Sequence, residues 1–275
     1  MENEYFRSYL KVAPFALALW RGIETQAISD GYLYVSQKLL GKKPANNSLK
    51  SPVLDIGCGF GEFAGVFFKH QVEMGIDINE NDLRLAASGK KYRKLRREDA
   101  RQMTFANNSF STVISMSVME HIPNTQKAIK EAYRVLKPKG LFVFTVPTTD
   151  LNALLLFPAI IRKLGFASLA QCYVRQFHKT FKHESLYSPQ KWEEILKKNK
   201  FKILLKKGTI SPEQVNFFDL FLITALPSQI LRRIFGKRFV LANSLRLALF
   251  EPLYNTLKNN AKPTEGNVLY IVQKP

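Results

Sequence analysis

The chain has 275 residues, 41 of them Lys or Arg and 22 Asp or Glu, for a formal charge of +19. Hydrophobic residues are 46% and aromatics 12%, which supplies a large core and excludes a disordered chain. Two cysteines, Cys58 and Cys172, exclude a disulfide framework and a cysteine zinc site, and they suit a reducing, cytoplasmic compartment.

The start, MENEYFRSYLKV, carries early glutamates and no long apolar stretch, so no secretory signal is expected. The longest nearly uncharged run, Val215 to Leu231, holds Asp219 and Pro227 and suits no spanning helix. An integral membrane protein is therefore not expected, whereas a peripheral one stays open. The charge is uneven, with +6 over residues 1–150 and +13 over residues 151–275. Such a surplus attracts anionic lipid, nucleic acid or an acidic substrate.

In chain order, residues 5–41 read as helix with a break at Pro14, and the turn-rich stretch after Gly41 ends an N-terminal helical cap over residues 1–47. Val53 to Ile56 is a short apolar strand running into glycines, followed by a helix from Glu62 to His70. Met74 to Ile78 is a strand, Asn81 to Gly89 a helix, Thr112 to Met116 a strand and Thr125 to Leu136 an amphipathic helix. A turn at Pro138-Lys139-Gly140 leads into a strand from Leu141 to Val146. This alternation predicts an α/β fold with a doubly wound, Rossmann-like sheet, mostly parallel with the last strand antiparallel.

The sheet domain, over residues 48–275, carries two helical inserts at about 148–182 and 209–265. The first insert reads as two apolar helices interrupted at Pro158 and Gly165. Between the inserts, Ser188-Pro189 is an N-cap and first-turn proline for a helix through Trp192, and Phe201 to Leu205 is a strand. Val268 to Val272 is the closing strand.

Asp55-Ile-Gly57-Cys58-Gly59-Phe-Gly61 sits at the first strand-to-helix turn. Alternating glycines remove Cβ atoms where a ligand has to approach the backbone. Asp77 ends the next strand, where a carboxylate can accept both hydroxyls of a ribose. Gly59, Gly61 and Ala64 also satisfy a dinucleotide fingerprint. Asp55 tips the balance, because an anion there repels a pyrophosphate and suits a cationic amino-acid group.

Four segments in register carry a family resemblance: Val53–Gly61, Gly75–Asp77, Phe110–Ile122 and Tyr133–Pro147. The chain resembles class I S-adenosylmethionine-dependent methyltransferases, of the broad subgroup that includes the ubiquinone and menaquinone enzymes. The resemblance implies S-adenosylmethionine as cofactor and S-adenosylhomocysteine as product. It assigns Asp55, Gly57, Cys58 and Gly59 to the methionyl part and Asp77 with Ile78 to the ribose. Asp99 and Ala100 fall where the family contacts adenine, and Ser115 and Met116 leave the fourth strand facing the cofactor. Ser117 stands where some quinone methyltransferases place a third metal-holding acid beside Glu120-His121, so no metal is expected.

Methyl transfer needs alignment, exclusion of water and a proton acceptor, and it demands no fixed triad. His121, His183 and Tyr187 are the catalytic candidates, with His178 a weaker one. The N-terminal helices and inserts select the acceptor in this family, and here they are apolar and basic. Val215–Ile223 and Phe239–Phe250 interleave with Arg232, Arg233, Lys237, Arg238 and Arg246. A small-molecule or lipid-like acceptor and an anionic membrane surface therefore rank above nucleic acid. An RNA methyltransferase and a non-catalytic cofactor-binding protein are the competing readings.

Overall fold

The computed structural model describes residues 3–41, 49–222 and 243–275. Its strands are β1 (Val53–Ile56), β2 (Val72–Asp77), β3 (Tyr92–Arg97), β4 (Phe110–Met116), β5 (Leu136–Pro147), β6 (Lys202–Ile210) and β7 (Thr264–Gln273). Its helices are α1 (Glu4–Leu10), α2 (Phe15–Leu40), α3 (Glu62–Phe67), α4 (Glu80–Ser88), α5 (Thr125–Val135), α6 (Leu151–Leu154), α7 (Leu156–Lys163), α8 (Ala167–Phe181), α9 (Pro189–Lys198), α10 (residues 212–222) and α11 (Asn243–Asn259).

The chain divides into two compact units. One comprises Ala27–Thr149, His183–Lys207 and Val268–Pro275, and the other Met1–Gln26, Asp150–Lys182 and Gly208–Asn267. The second unit draws on residues 150–182 and 208–267, the stretches read from sequence as helical inserts. It also takes the first part of the expected cap, because α2 is one continuous helix of 26 residues that passes through the division.

The strand order of the seven-stranded sheet is β3-β2-β1-β4-β5-β7-β6, and β1 pairs in parallel with β2 and β4. The strand β7 runs antiparallel: Lys139 N donates to Lys274 O at 2.9 Å and Lys274 N to Gly140 O at 3.0 Å. All four residues of β1 are buried, which is why central parallel strands read as unbroken apolar runs. Helix α5 lays Ala128, Ile129, Ala132 and Val135 into the same core as Phe142, Phe144, Trp192 and Tyr270. Ser188 caps α9 as expected, its Oγ accepting from Lys191 N at 3.2 Å.

Three local expectations change. The strand β3, with sequence YRKLRR, was not anticipated, because an edge strand with charged residues toward water has no apolar alternation. The strand β5 runs through Pro138-Lys139-Gly140 instead of starting after it. Pro158 does not break a helix; it lies in the first turn of α7, where its missing N–H loses no bond, and the break falls at Leu155.

The second unit has its own core of Ala16, Leu151, Leu155, Phe177, Ile210, Val215 and Phe218. Stacked rings extend it, Phe6 on Tyr254 at 4.1 Å and Phe15 on Phe250 at 4.3 Å. Two expectations for a lipid-facing insert therefore fail here. Val215 and Phe218 are core residues, and Arg246 is 5% exposed, donating to the carbonyls of Leu10 and Ala13. A buried guanidinium must spend its donors on such carbonyls, so it is lost to any surface. Arg232, Arg233, Lys237, Arg238 and the linker at 42–48 lie outside the described residues. Among the described residues, no helix is long and apolar enough to cross a membrane.

Gly75 in β2 makes room for Tyr92, since a Cβ there would sit 2.8 Å from the Tyr92 ring and 3.0 Å from Leu95. Gly75→Ala is expected to destabilise the protein by about 1–3 kcal/mol in urea unfolding. An unchanged midpoint would show that the ring yields without cost.

Candidate functional site

A cavity of about 420 Å³ opens at the carboxyl ends of β1, β2, β3 and β4, where the strand order reverses. Its wall combines Gly57, Asp77, Ile78, Asp99, Ala100 and His121, all expected there, with Ile56, Ile76, Glu98, Arg101, Val118, Ile122 and Pro123.

The β1–α3 turn shapes the floor. Gly57 has φ +72°, and a Cβ on it would lie 2.3 Å from Val118, so a side chain there would strain the backbone and displace Val118. Gly57 N and Cys58 N both donate to Ile76 O, at 2.8 and 3.0 Å. Gly59 N donates to Asp77 Oδ2 at 2.8 Å, and Asn79 N to Asp77 Oδ1 at 2.9 Å. Asp77 thus holds the glycine turn while keeping lone pairs for a ligand.

Asp55 is 2% exposed and accepts from Tyr92 Oη at 2.7 Å. Burial raises its carboxyl pKa to about 7, opposed by the Tyr92 hydroxyl and reinforced by the charge of Asp77. Burial, with the Asp55 and Asp77 charges, also pushes the Cys58 thiol upward, so this cysteine is no nucleophile. Neither Asp55, Cys58 nor Gly59 is part of the cavity wall; they support it from behind.

Arg101 clamps Asp99 through both carboxylate oxygens, at 3.0 and 2.6 Å, and donates its backbone N as well. That side-chain bond holds the Asp99 pKa below the ordinary carboxylate range. Ser115 departs from expectation: it is fully buried and its Oγ donates to Ile56 O at 3.1 Å, which ties β4 to β1 instead of facing the cavity. Met116 ends β4 half-buried.

A 3-10 turn, Met119–His121, carries His121 to the wall. Glu184 N and Ser185 N donate to Glu120 O at 2.8 and 2.9 Å, and Ser185 Oγ donates to Ile122 O at 2.8 Å. These bonds bring His183 beside His121, with ring centroids 5.5 Å apart. The buried Glu120 carboxylate lies 3.7 Å from His121 Nε2. Glu120, His121 and His183 each offer one metal-ligating atom, all within 4.8 Å of one another. The expectation of no metal rested on two side chains; tertiary folding adds a third.

Tyr187 packs edge-on against Trp192, with centroids 5.3 Å apart, and lines the core. His178 belongs to the other unit, where it meets Asn152 at 2.6 Å and burial lowers its pKa. Tyr92, Arg101 and Val118 went unforeseen. The signal for Tyr92 was a lone aromatic in a basic run, and Arg101 and Val118 carried none, since wall and clamp positions show only in three dimensions.

A family model described as a methyltransferase domain matches residues 54–144. A sterol 24-C-methyltransferase of Aspergillus fumigatus is 34% identical over 101 residues, 33% of this chain and 26% of that protein. A ubiquinone biosynthesis O-methyltransferase of Coxiella burnetii is 28% identical over 108 residues, covering 38% and 46%. The match thus spans less than half the length of these curated relatives. A methyltransferase structure from Thermotoga maritima superposes with a TM-score of 0.53 at 13% identity, covering 99% of this chain and 100% of that one, a likeness of fold alone.

Asp55 binds its proton more tightly when folded, about 7 against an ordinary 3.8. Its contribution is therefore fully present below the lower value and is lost as pH rises through the upper one, with a slope of up to about 1.4 kcal/mol per pH unit. Asp55→Asn should flatten urea stability between these values. An Asn variant with the wild-type slope would assign the titration to another group.

Proposed function

We propose, from the class I S-adenosylmethionine-dependent methyltransferase domain that this chain carries, that the protein methylates a small-molecule or lipid-like acceptor at oxygen or carbon. One observation carries the reading: Asp77, Asp99 and the Gly57 turn meet in a single cavity at the sheet's switch point.

The residues fit the cofactor. The glycine turn presents backbone without Cβ, and nothing lies within 4 Å of where a Cβ on Gly59 would stand. Asp77 suits ribose hydroxyls, and Asp99, kept ionised by Arg101, suits an exocyclic amine with the Ala100 amide beside it. Asp55 stands behind the wall, where a cation in the cavity would draw out its charge through the field alone, an environment that suits the methionyl ammonium group without touching it. Bound there, S-adenosylmethionine supplies a methyl group already activated on a sulfonium. The chain's own work is alignment, exclusion of water by Val118, Ile122 and Pro123, and proton removal. His121 is the proton acceptor on the wall, oriented by Glu120, with His183 as its neighbour. Tyr187, packed on Trp192, positions the segment that carries His183.

The Glu120–His121–His183 grouping favours a second reading of that trio, a divalent cation that would hold an acceptor hydroxyl. We favour proton transfer without an ion.

Calorimetry should show S-adenosylhomocysteine binding, weakened on the order of a hundredfold in Asp77→Ala, the loss of two charge-assisted hydrogen bonds. A radiolabelled methyl-transfer screen should place label in lipid extract or small metabolites; label in RNA would overturn the acceptor class. His121→Ala and His183→Ala should lower turnover by about a hundredfold at nearly constant cofactor affinity. Turnover should survive EDTA, and metal-restored activity would reassign the trio to a cation.

A further inference from the structure

We infer that the α7–α8 hairpin is a docking surface for an anionic lipid bilayer. Ile160, Leu164, Phe166 and Leu169 are 45%, 66%, 60% and 57% exposed, and every residue from 162 to 169 faces solvent. Apolar side chains this large, contiguous and wet on a stable helical element mark a contact surface.

The tip is built to stay outside the core. Gly165 has φ +87°, with Gly165 N donating to Arg162 O at 3.0 Å and Phe166 N to Ile161 O at 3.1 Å. This closed helix end fixes Leu164 and Phe166 on either side of the glycine. The root of the hairpin is anchored. Leu155, Pro158, Ala170 and Phe177 are buried, and Asp219 accepts from Phe157 N at 3.0 Å and from the Tyr173 hydroxyl.

Charge selects the occupant. Residues 151–183 contain no Asp or Glu but five basic side chains, with Arg162 and Lys163 exposed beside the apolar tip. Phe and Leu at acyl depth with Arg and Lys at the phosphates is the pattern of an interfacial helix. A second copy is disfavoured, since two chains of +19 would meet through surfaces of like sign.

The test is flotation of the full chain with vesicles of phosphatidylcholine, with and without phosphatidylglycerol. The wild type should float with the anionic vesicles, less at high salt and less with phosphatidylcholine alone. The double variant Leu164→Gln/Phe166→Gln should lose about tenfold or more in partitioning. Arg162→Gln/Lys163→Gln should lose the preference for phosphatidylglycerol. Circular dichroism and S-adenosylhomocysteine binding of the variants should match wild type, which separates this result from any failure of the fold or of the methyltransferase reading. A wild type that stays with the soluble fraction, or hairpin variants that float equally, would overturn the inference. Sedimentation showing a dimer that the Leu164/Phe166 variant dissociates would overturn it in favour of a second copy.

Discussion

The turn from β1 into α3 places three successive backbone amides at the end of the sheet, and each finds a partner there. Ile76 O serves Gly57 and Cys58, and the Asp77 carboxylate serves Gly59. An unpaired amide in that position would cost about 1–3 kcal/mol, so the pairing leaves the turn a single conformation. Everything at the cavity follows from it. The tight curl forces φ positive at Gly57, which brings Val118 into the space a side chain would need. The end of β4 and its 3-10 turn are then placed against the β1 turn, and His121 arrives on the wall.

A second layer sets the electrostatics. Tyr92 reaches Asp55 only because Gly75 leaves room for its ring, so an aromatic on an edge strand governs an acid on a central one. The two carboxylates behind and on the cavity wall differ in character. Asp55 is buried, with its charge suppressed; Asp77 is satisfied by amides at the rim.

The two units divide the labour. One holds the cavity, its carboxylates and the histidine pair. The other has a separate apolar core, and its charge is distributed less simply than a basic surplus suggests. Arg246 is spent on carbonyls inside it, whereas Arg162 and Lys163 stand free of the core at the hairpin tip. Phe218 and Phe166 make the same point, since one is core and the other is 60% exposed. Composition cannot tell such residues apart.

By itself the sequence determined the strand-turn-helix alternation, the glycine turn with Asp55 and Asp77, and the Ser188-Pro189 helix start. Each depends on neighbours a few residues apart, which local sterics and hydrogen bonding dictate. Tertiary structure alone decided that Tyr92 serves Asp55, that Ser115 ties two strands, and that His183 joins Glu120 and His121. It also decided which apolar residues of the inserts are core and which are surface. These outcomes hang on hydrogen bonds and packing between segments far apart in the chain, 63 residues for Ser185 to Ile122 and 236 for Arg246 to Leu10. Burial depends on what the rest of the chain covers, and the periodicity that marked the buried face of α5 has no equal in the apolar inserts.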